Sequence, residues 1–221
     1  MKRLLSLLLM AGLLLNVACK NDEPQPDPGN TQPTVVGPDY YTLCADLIGM
    51  SHSNMHNQFT GQGFTCTNQN QTSATDMNYT YERRDGNVSQ VYAIITRDNI
   101  VVAVTAGEQW DYGYGDCAEM RDRYVSLLAL ADYHNRPWSS STATLNDQSF
   151  STMDTYLEAL RTFPITRNCT DGEQLVTGAD FTGTDFVVRG AASIKNEQFL
   201  QWYTGPSYAI TLLSRPYADA Q

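Results

Sequence analysis

The sequence is poor in positive charge. Its 221 residues include 14 lysines and arginines against 24 aspartates and glutamates, which gives a formal net charge of −10. The basic residues form no cluster along the chain, and nucleic acids and anionic membrane surfaces are bound through such clusters. The composition therefore argues against nucleic acid as a partner and against docking on anionic lipid through surface charge.

The common motifs of catalysis and cofactor binding are also absent. The chain has no Gly-x-Ser-x-Gly, His-Glu-x-x-His, Walker or Gly-x-Gly-x-x-Gly pattern, no EF-hand loop and no Cys-x-x-Cys pair. His52 and His56 are four residues apart, but two histidines alone rarely hold a metal ion. The expectation leans towards a non-catalytic protein with no cofactor and no metal ion.

Only one long apolar run occurs, and it opens the chain. Lys2 and Arg3 precede an apolar segment over 4–15, which is too short to cross a bilayer as a helix. A positive end, an apolar core and small residues before a cleavage point are typical of a secretory signal peptide. We assign residues 1–18 to this signal.

The signal ends in LNVAC, residues 15–19, which resembles the lipobox of bacterial lipoproteins, although Asn16 stands where leucine is usual. The next four residues, KNDE, resemble the acidic export signal of Bacteroidetes surface lipoproteins. The resemblance implies that Cys19 carries fatty-acyl chains such as palmitate. Two or more chains give a stable anchor, here in the outer membrane with the protein exposed at the cell surface. The alternative is an ordinary signal with a chance cysteine.

A proline-rich stretch follows Cys19. Five prolines lie between residues 24 and 38, among polar residues. Such a segment has too little apolar surface to offset its ordering entropy, and proline keeps it extended. We therefore expect residues 19–39 to form a lipidated, disordered tether and residues 40–221 to form a globular domain.

The domain contains four cysteines, Cys44, Cys66, Cys117 and Cys169. An even number of cysteines in an exported chain is typical of disulfide bonds. We expect two disulfides, and the spacing leaves all three pairings open.

Residue patterns in the domain predict an α+β fold, with helices packed on an antiparallel sheet. Helical periodicity covers 40–48, 53–60, 116–135 and 152–162. Strand-like segments cover 78–84, 89–97, 100–106, 173–182, 185–194, 197–204 and 207–214. Helices precede strands twice, so 40–135 and 136–221 are possible halves. In architecture alone, this layout resembles the tandem α+β proteins of the β-lactamase-inhibitor type.

The segment GEQWDYGYGDCAEM, residues 107–120, is the most unusual part of the domain. Its glycines predict a loop, which places Trp110, Tyr112 and Tyr114 where burial is not assured. Aromatic rings beside carboxylates suit a sugar- or protein-binding surface. These three residues are the candidate ligand contacts, unless they fold back over the core near Cys117.

Three functions remain open. The first is a lipid-anchored surface module that binds an extracellular glycan or protein without catalysis. The second is a lipoprotein that inhibits or assembles with a protein partner, as the inhibitor-like layout suggests. The third is a hydrolase that uses Asp111, Asp116 and Glu119 as acid and base, since glycoside hydrolysis needs a pair of facing carboxylates.

Overall fold

The computed structural model describes residues 32–138, 140–167, 174–199 and 202–221. Pro33–Gln221 is one compact unit, and it holds every helix and strand described. The predicted signal peptide, the predicted lipidation site Cys19 and Cys169 lie outside the described residues.

The described helices are α1 (Tyr40–Leu47), α2 (His52–Gly61), α3 (Cys117–Asn135), α4 (Met153–Thr162) and α5 (Arg215–Ala218). The first six strands are β1 (Thr65–Gln71), β2 (Asp76–Asp85), β3 (Val88–Arg97), β4 (Ile100–Trp110), β5 (Ser140–Leu145) and β6 (Gln148–Phe150). The remaining strands are β7 (Leu175–Thr182), β8 (Phe186–Ile194), β9 (Glu197–Phe199), β10 (Trp202–Thr204) and β11 (Ser207–Ser214).

Nine strands form one antiparallel sheet in the order β1-β2-β3-β4-β11-β8-β7-β5-β6, and β9 and β10 form a separate ribbon. The predicted α+β class is confirmed. The pairing of β4 with β11 joins the strands of the first predicted half to those of the second. The two groups of strands therefore share one sheet.

The turn between β3 and β4 explains how these strands pair. Asp98 and Asn99 have φ angles of 51° and 65°, the left-handed conformation that a two-residue hairpin turn needs and that Asp and Asn tolerate. Asn146 and Asp147 repeat this geometry between β5 and β6, with φ angles of 44° and 69°.

Helices α1 to α4 cover one face of the sheet. Helix α3 buries a stripe of five residues, Met120, Tyr124, Leu127, Leu128 and Ala131. Helix α4 buries a stripe of four, Met153, Tyr156, Leu157 and Leu160. Both stripes were predicted from the period of 3.6 residues, and they meet the inward side chains of the sheet in one core.

The opposite face of the sheet carries only α5 among the described helices. Tyr217 of α5 packs on Ala103 of β4 and Leu213 of β11 at one end of this face. We call the part of this face that no described helix covers the open face.

The chain enters the compact unit beside α3. The backbone N–H of Val36 donates to Oγ of Ser126 over 2.9 Å, and Gly37 lies against the side chain of Arg123. Since Ser126 and Arg123 belong to α3, Val36 and Gly37 lie against the helical layer.

The cysteines differ from the expected two disulfides. Cys44 and Cys66 are free thiols, whereas Cys117 is disulfide-bonded. Helix α1, which carries Cys44, packs on β4 and β11. Cys66 lies on β1, three strands from β4, or about 14 Å at the usual spacing. Cys44 and Cys66 therefore belong to different elements of the fold, and neither of them is bonded.

Candidate binding surface on the open sheet face

A row of mostly small side chains, four of them glycine or alanine, crosses the middle of the open face. Register pairs link Val91, Gly107, Ala209, Ala191 and Gly178 across β3, β4, β11, β8 and β7. Successive residues of a strand point to opposite faces, and the neighbours of this row point into the core. We call these five residues the small-residue row.

A cavity of about 460 Å³ lies above this row, and Thr105, Ser193 and Ser207 add hydroxyl groups to its lining. A second cavity, of about 800 Å³, shares Val176 with the first and continues to the turn of Asn146 and Asp147. Together they form a trough that runs across the strands, and we refer to it as the trough.

The floor of the trough depends on glycine at position 107. A Cβ atom there would lie 2.9 Å from the Cβ of Ala209 and would collide with the carbonyl oxygen of Tyr208. Strands β4 and β11 therefore approach each other at a distance that no larger residue permits. Missing side chains, rather than a gap between elements, create the trough.

Two ion pairs flank the trough. Arg84 pairs with Asp111 beyond the end of β4. Arg189 of β8 lies 3.5 Å from Asp180 of β7, and both side chains are more than half exposed, at 59% and 61%. Exposed pairs of this kind contribute only about 0–1 kcal/mol, so their charged groups can exchange partners when a ligand arrives.

Beneath the trough floor, Glu108 points into the core and fixes the helical layer. Its buried carboxylate accepts hydrogen bonds from Tyr208 Oη at 2.9 Å, Tyr40 Oη at 3.2 Å and Arg123 Nη1 at 2.9 Å. The pKa values of Tyr40 and Tyr208 are raised well above the usual value for tyrosine. Burial is the larger cause, and the negative charge of Glu108 is the second. Because these partners come from α1, α3 and β11, this carboxylate is a structural group that a ligand in the trough does not reach.

The predicted ligand contacts divide into two kinds. Trp110 ends β4, where it pairs with Val88, and its partly buried ring packs against the core and Gly115. The prediction that 107–110 forms a loop is wrong, because both neighbouring strands bond to this segment. Tyr112 and Tyr114 are 39% and 54% exposed, as expected for a binding loop.

The two exposed tyrosines lie close to the trough in sequence. They follow within five residues of Gln109, which lines the trough. The backbone N–H of Gly113 donates to Oδ1 of Asn196 over 2.9 Å, which ties the loop to the segment after β8. The loop therefore lies at the end of β4, beside the segment that follows β8.

The three carboxylates of the hydrolase hypothesis have other roles. Asp111 pairs with Arg84. Asp116 caps α3 by accepting from the N–H groups of Ala118 and Glu119. Glu119 pairs with Arg123 at 2.7 Å. Each of these three carboxylates therefore has a structural partner, and the hydrolase hypothesis stays a prediction.

His52 and His56 are packed against tyrosines. The ring of His52 stacks on Tyr79 with 4.2 Å between centroids, and His56 Nδ1 lies 2.8 Å from Tyr81 Oη. Within the described ranges, no group of three or more histidines, cysteines or carboxylates is placed to hold a metal ion. The helices of those ranges include none with the length and apolar character to cross a membrane.

The trough was not found from the sequence. The available signal was the alternation of small residues, as in Thr105 and Gly107 on β4 and Ala209 and Thr211 on β11. The chain matches no protein-family model, no curated protein and no solved structure.

Proposed function

We propose that this protein is a lipid-anchored, non-catalytic binding module of the cell surface, and that its trough receives a protruding segment of a protein partner. The observation that carries the proposal is the open face of a nine-stranded sheet whose centre is floored by glycine and alanine. The helical layer covers only the other face.

The chemistry of the floor favours a protein segment over a sugar. It presents methyl groups and hydroxyls, and among the described residues of its lining the one aromatic residue, Tyr208, turns its ring into the core. These described residues give a sugar ring no aromatic face to stack on. A helix or loop can approach small residues closely, and close shape complementarity is typical of protein interfaces.

Charge favours a basic partner. The chain has a formal net charge of −10, and opposite charge on a partner increases the rate of encounter. Tyr112 and Tyr114 add exposed aromatic side chains of a type that is enriched in interfaces. We therefore expect a partner with a positively charged surface that presents an apolar segment to the trough.

The proposed anchor leaves the open face accessible. Val36 lies against α3, which belongs to the layer opposite the trough. A protein held by Cys19 can in this way present its open face to the surroundings.

Site-specific photocrosslinking tests the trough. A photoreactive residue in place of Ala191 should give one discrete adduct on intact cells, because Ala191 lies on the trough floor. The matched control is Glu158, an exposed residue of α4, where the same residue should give none. Adducts from both positions, or none from Ala191, would contradict the proposal.

The captured protein must then bind in purified form. Ala191→Arg should weaken its binding at least tenfold, since a long charged side chain fills the trough, whereas Glu158→Arg should not. Raising the salt concentration should slow association if the partner is basic. Binding that survives Ala191→Arg would place the contact elsewhere.

The anchor has its own test. Cys19→Ser should move the protein from the membrane fraction to the soluble fraction and abolish incorporation of labelled palmitate. Mass spectrometry of the mature protein should find acyl chains on Cys19. An unmodified thiol there would contradict the lipid anchor.

A further inference from the structure

A further cleft, separate from the two cavities of the trough, lies in the helical layer. It has a volume of about 600 Å³ and is lined by Arg136, Pro137, Trp138, Thr152, Met153 and Asp154. These residues follow the end of α3 and begin α4. The volume lies within the range of about 300–1,000 Å³ that is common for small-ligand sites.

One buried carboxylate positions the aromatic ring and the cation of this cleft. Asp132 is 5% exposed. Its Oδ1 accepts from the indole N–H of Trp138 over 2.9 Å. Its Oδ2 accepts from Nε and Nη2 of Arg136 over 2.9 Å and 2.6 Å. The ring and the guanidinium are thereby held in place before any ligand arrives.

A second carboxylate lies at the mouth of the cleft. Asp154 accepts from Nη2 of Arg136 over 2.7 Å, and its side chain is 79% exposed. The cleft thus combines a partly buried indole ring, a guanidinium that donates hydrogen bonds and a carboxylate that accepts them. Two aspartates and one arginine leave this group with a net charge of −1.

We propose that this cleft binds a pyranose unit of a neutral glycan. The apolar face of a sugar ring stacks on Trp138, and its hydroxyls, which donate and accept, bond to Asp154 and Arg136. The excess negative charge disfavours uronic acids and other anionic sugars. The site shares no residue with the trough, so the glycan and the protein partner of the proposed function bind independently.

Calorimetry with defined hexasaccharides tests the ligand class. The protein used is the compact unit of residues 33–221, and the probes are hexasaccharides of β-1,4-glucose, α-1,4-glucose, β-1,4-N-acetylglucosamine and β-1,4-mannose. At least one should bind with a Kd of about 1 mM or tighter, and hexagalacturonate should not. Failure of all four neutral probes, or equal binding of hexagalacturonate, would overturn the proposal.

Variants then locate the site. Trp138→Ala should weaken binding at least tenfold because the stacking surface is lost, and Trp138→Phe should retain part of it. Asp154→Ala should weaken binding at least threefold. Because Asp154 is exposed, this variant keeps the test valid even where Trp138→Ala unfolds the domain. Glu158→Ala, which removes an exposed carboxylate from the same helix, is the matched control and should bind like the wild type.

Two results would reject this location. The first is that Asp154→Ala binds as the wild type does and that a Trp138 variant, either Ala or Phe, also binds as the wild type does while it keeps the wild-type melting temperature. The second is an equal loss of binding in Glu158→Ala, which would indicate a general charge effect. Ala191→Arg, which fills the trough, should leave glycan binding unchanged.

Discussion

Gly107 on β4 and Ala209 on β11 face each other so closely that a Cβ on the glycine would lie 2.9 Å from the Cβ of the alanine. These two residues belong to strands that are about 100 positions apart in the chain, and their pairing joins the two groups of strands into one sheet. The same contact forms the floor of the trough. Fold and proposed site therefore depend on the same missing side chain.

Gly107→Ala should destabilise the domain by about 3 kcal/mol, because the added methyl group collides with backbone as well as side-chain atoms and the sheet must open to admit it. Urea denaturation of the compact unit, residues 33–221, measures the change in the free energy of unfolding.

Gly178→Ala provides the control in the same row. The nearest atom to its added Cβ would be 3.6 Å away, so this change should stay within about 1 kcal/mol of the wild type. Equal effects of the two substitutions would show that the approach of β4 and β11 is not the constraint.

Glu108→Gln should cost about 3 kcal/mol in the free energy of unfolding, since it removes a buried charge and leaves Arg123 without its inner partner. The control is Glu119→Gln, which removes the outer, 46% exposed partner of the same arginine. That change should cost about 0–1 kcal/mol. A larger loss in Glu119→Gln than in Glu108→Gln would contradict the structural role of Glu108.

Segments that bury one side were predictable from the sequence. Helices α3 and α4 and strands β2 to β4 repeat apolar residues with the period of their own geometry. Strand β1 was missed, because only Cys66 of its seven residues is partly buried and the others are exposed. The predicted strand over 197–204 is instead the short ribbon of β9 and β10.

The trough could not be predicted because it depends on strand order. Gly107, Ala209, Ala191 and Gly178 become neighbours only when β4, β11, β8 and β7 pair in that order, and local patterns do not specify long-range pairing. The sequence did single out Tyr112 and Tyr114, which are exposed. Trp110, which was singled out with them, is partly buried and is held by backbone pairing to Val88 of β3 and to Pro206 just before β11.

Cys66 should react with maleimide in the native protein, and Cys44 should react only on unfolding. Cys44 is fully buried, and burial, followed by the charge of Asp39, raises the pKa of its thiol well above its usual range. The reactive species is the thiolate, so Cys44 is protected both sterically and chemically. Mass spectrometry over time should show one fast adduct, which Cys66→Ser removes. Equal labelling rates for the two thiols would contradict this burial.

Asp76 should make the stability of the domain depend on pH in the acid range. Arg97 donates to both carboxylate oxygens of Asp76 over 2.8 Å and 2.9 Å. The guanidinium of Arg97 also lies over the ring of Tyr217, and this contact holds α5 on the sheet. These hydrogen bonds, although burial opposes them, lower the pKa of Asp76 below its ordinary value of 3.8. Asp76→Asn should therefore lower the melting temperature at pH 7.

The sign of the pH effect follows from the lowered pKa. The unfolded carboxylate takes up its proton first as the pH falls, so the stabilisation is complete above the ordinary value of 3.8 and is lost as the pH falls through the lower, folded pKa. The difference in melting temperature between wild type and Asp76→Asn should be constant from pH 7 to about pH 5 and should close towards pH 2. Asp147→Asn, a change on an exposed turn, should show a small difference without this trend. If the difference in melting temperature between wild type and Asp76→Asn were the same at pH 2 as at pH 7, the ion pair with Arg97 would not stabilise the folded state.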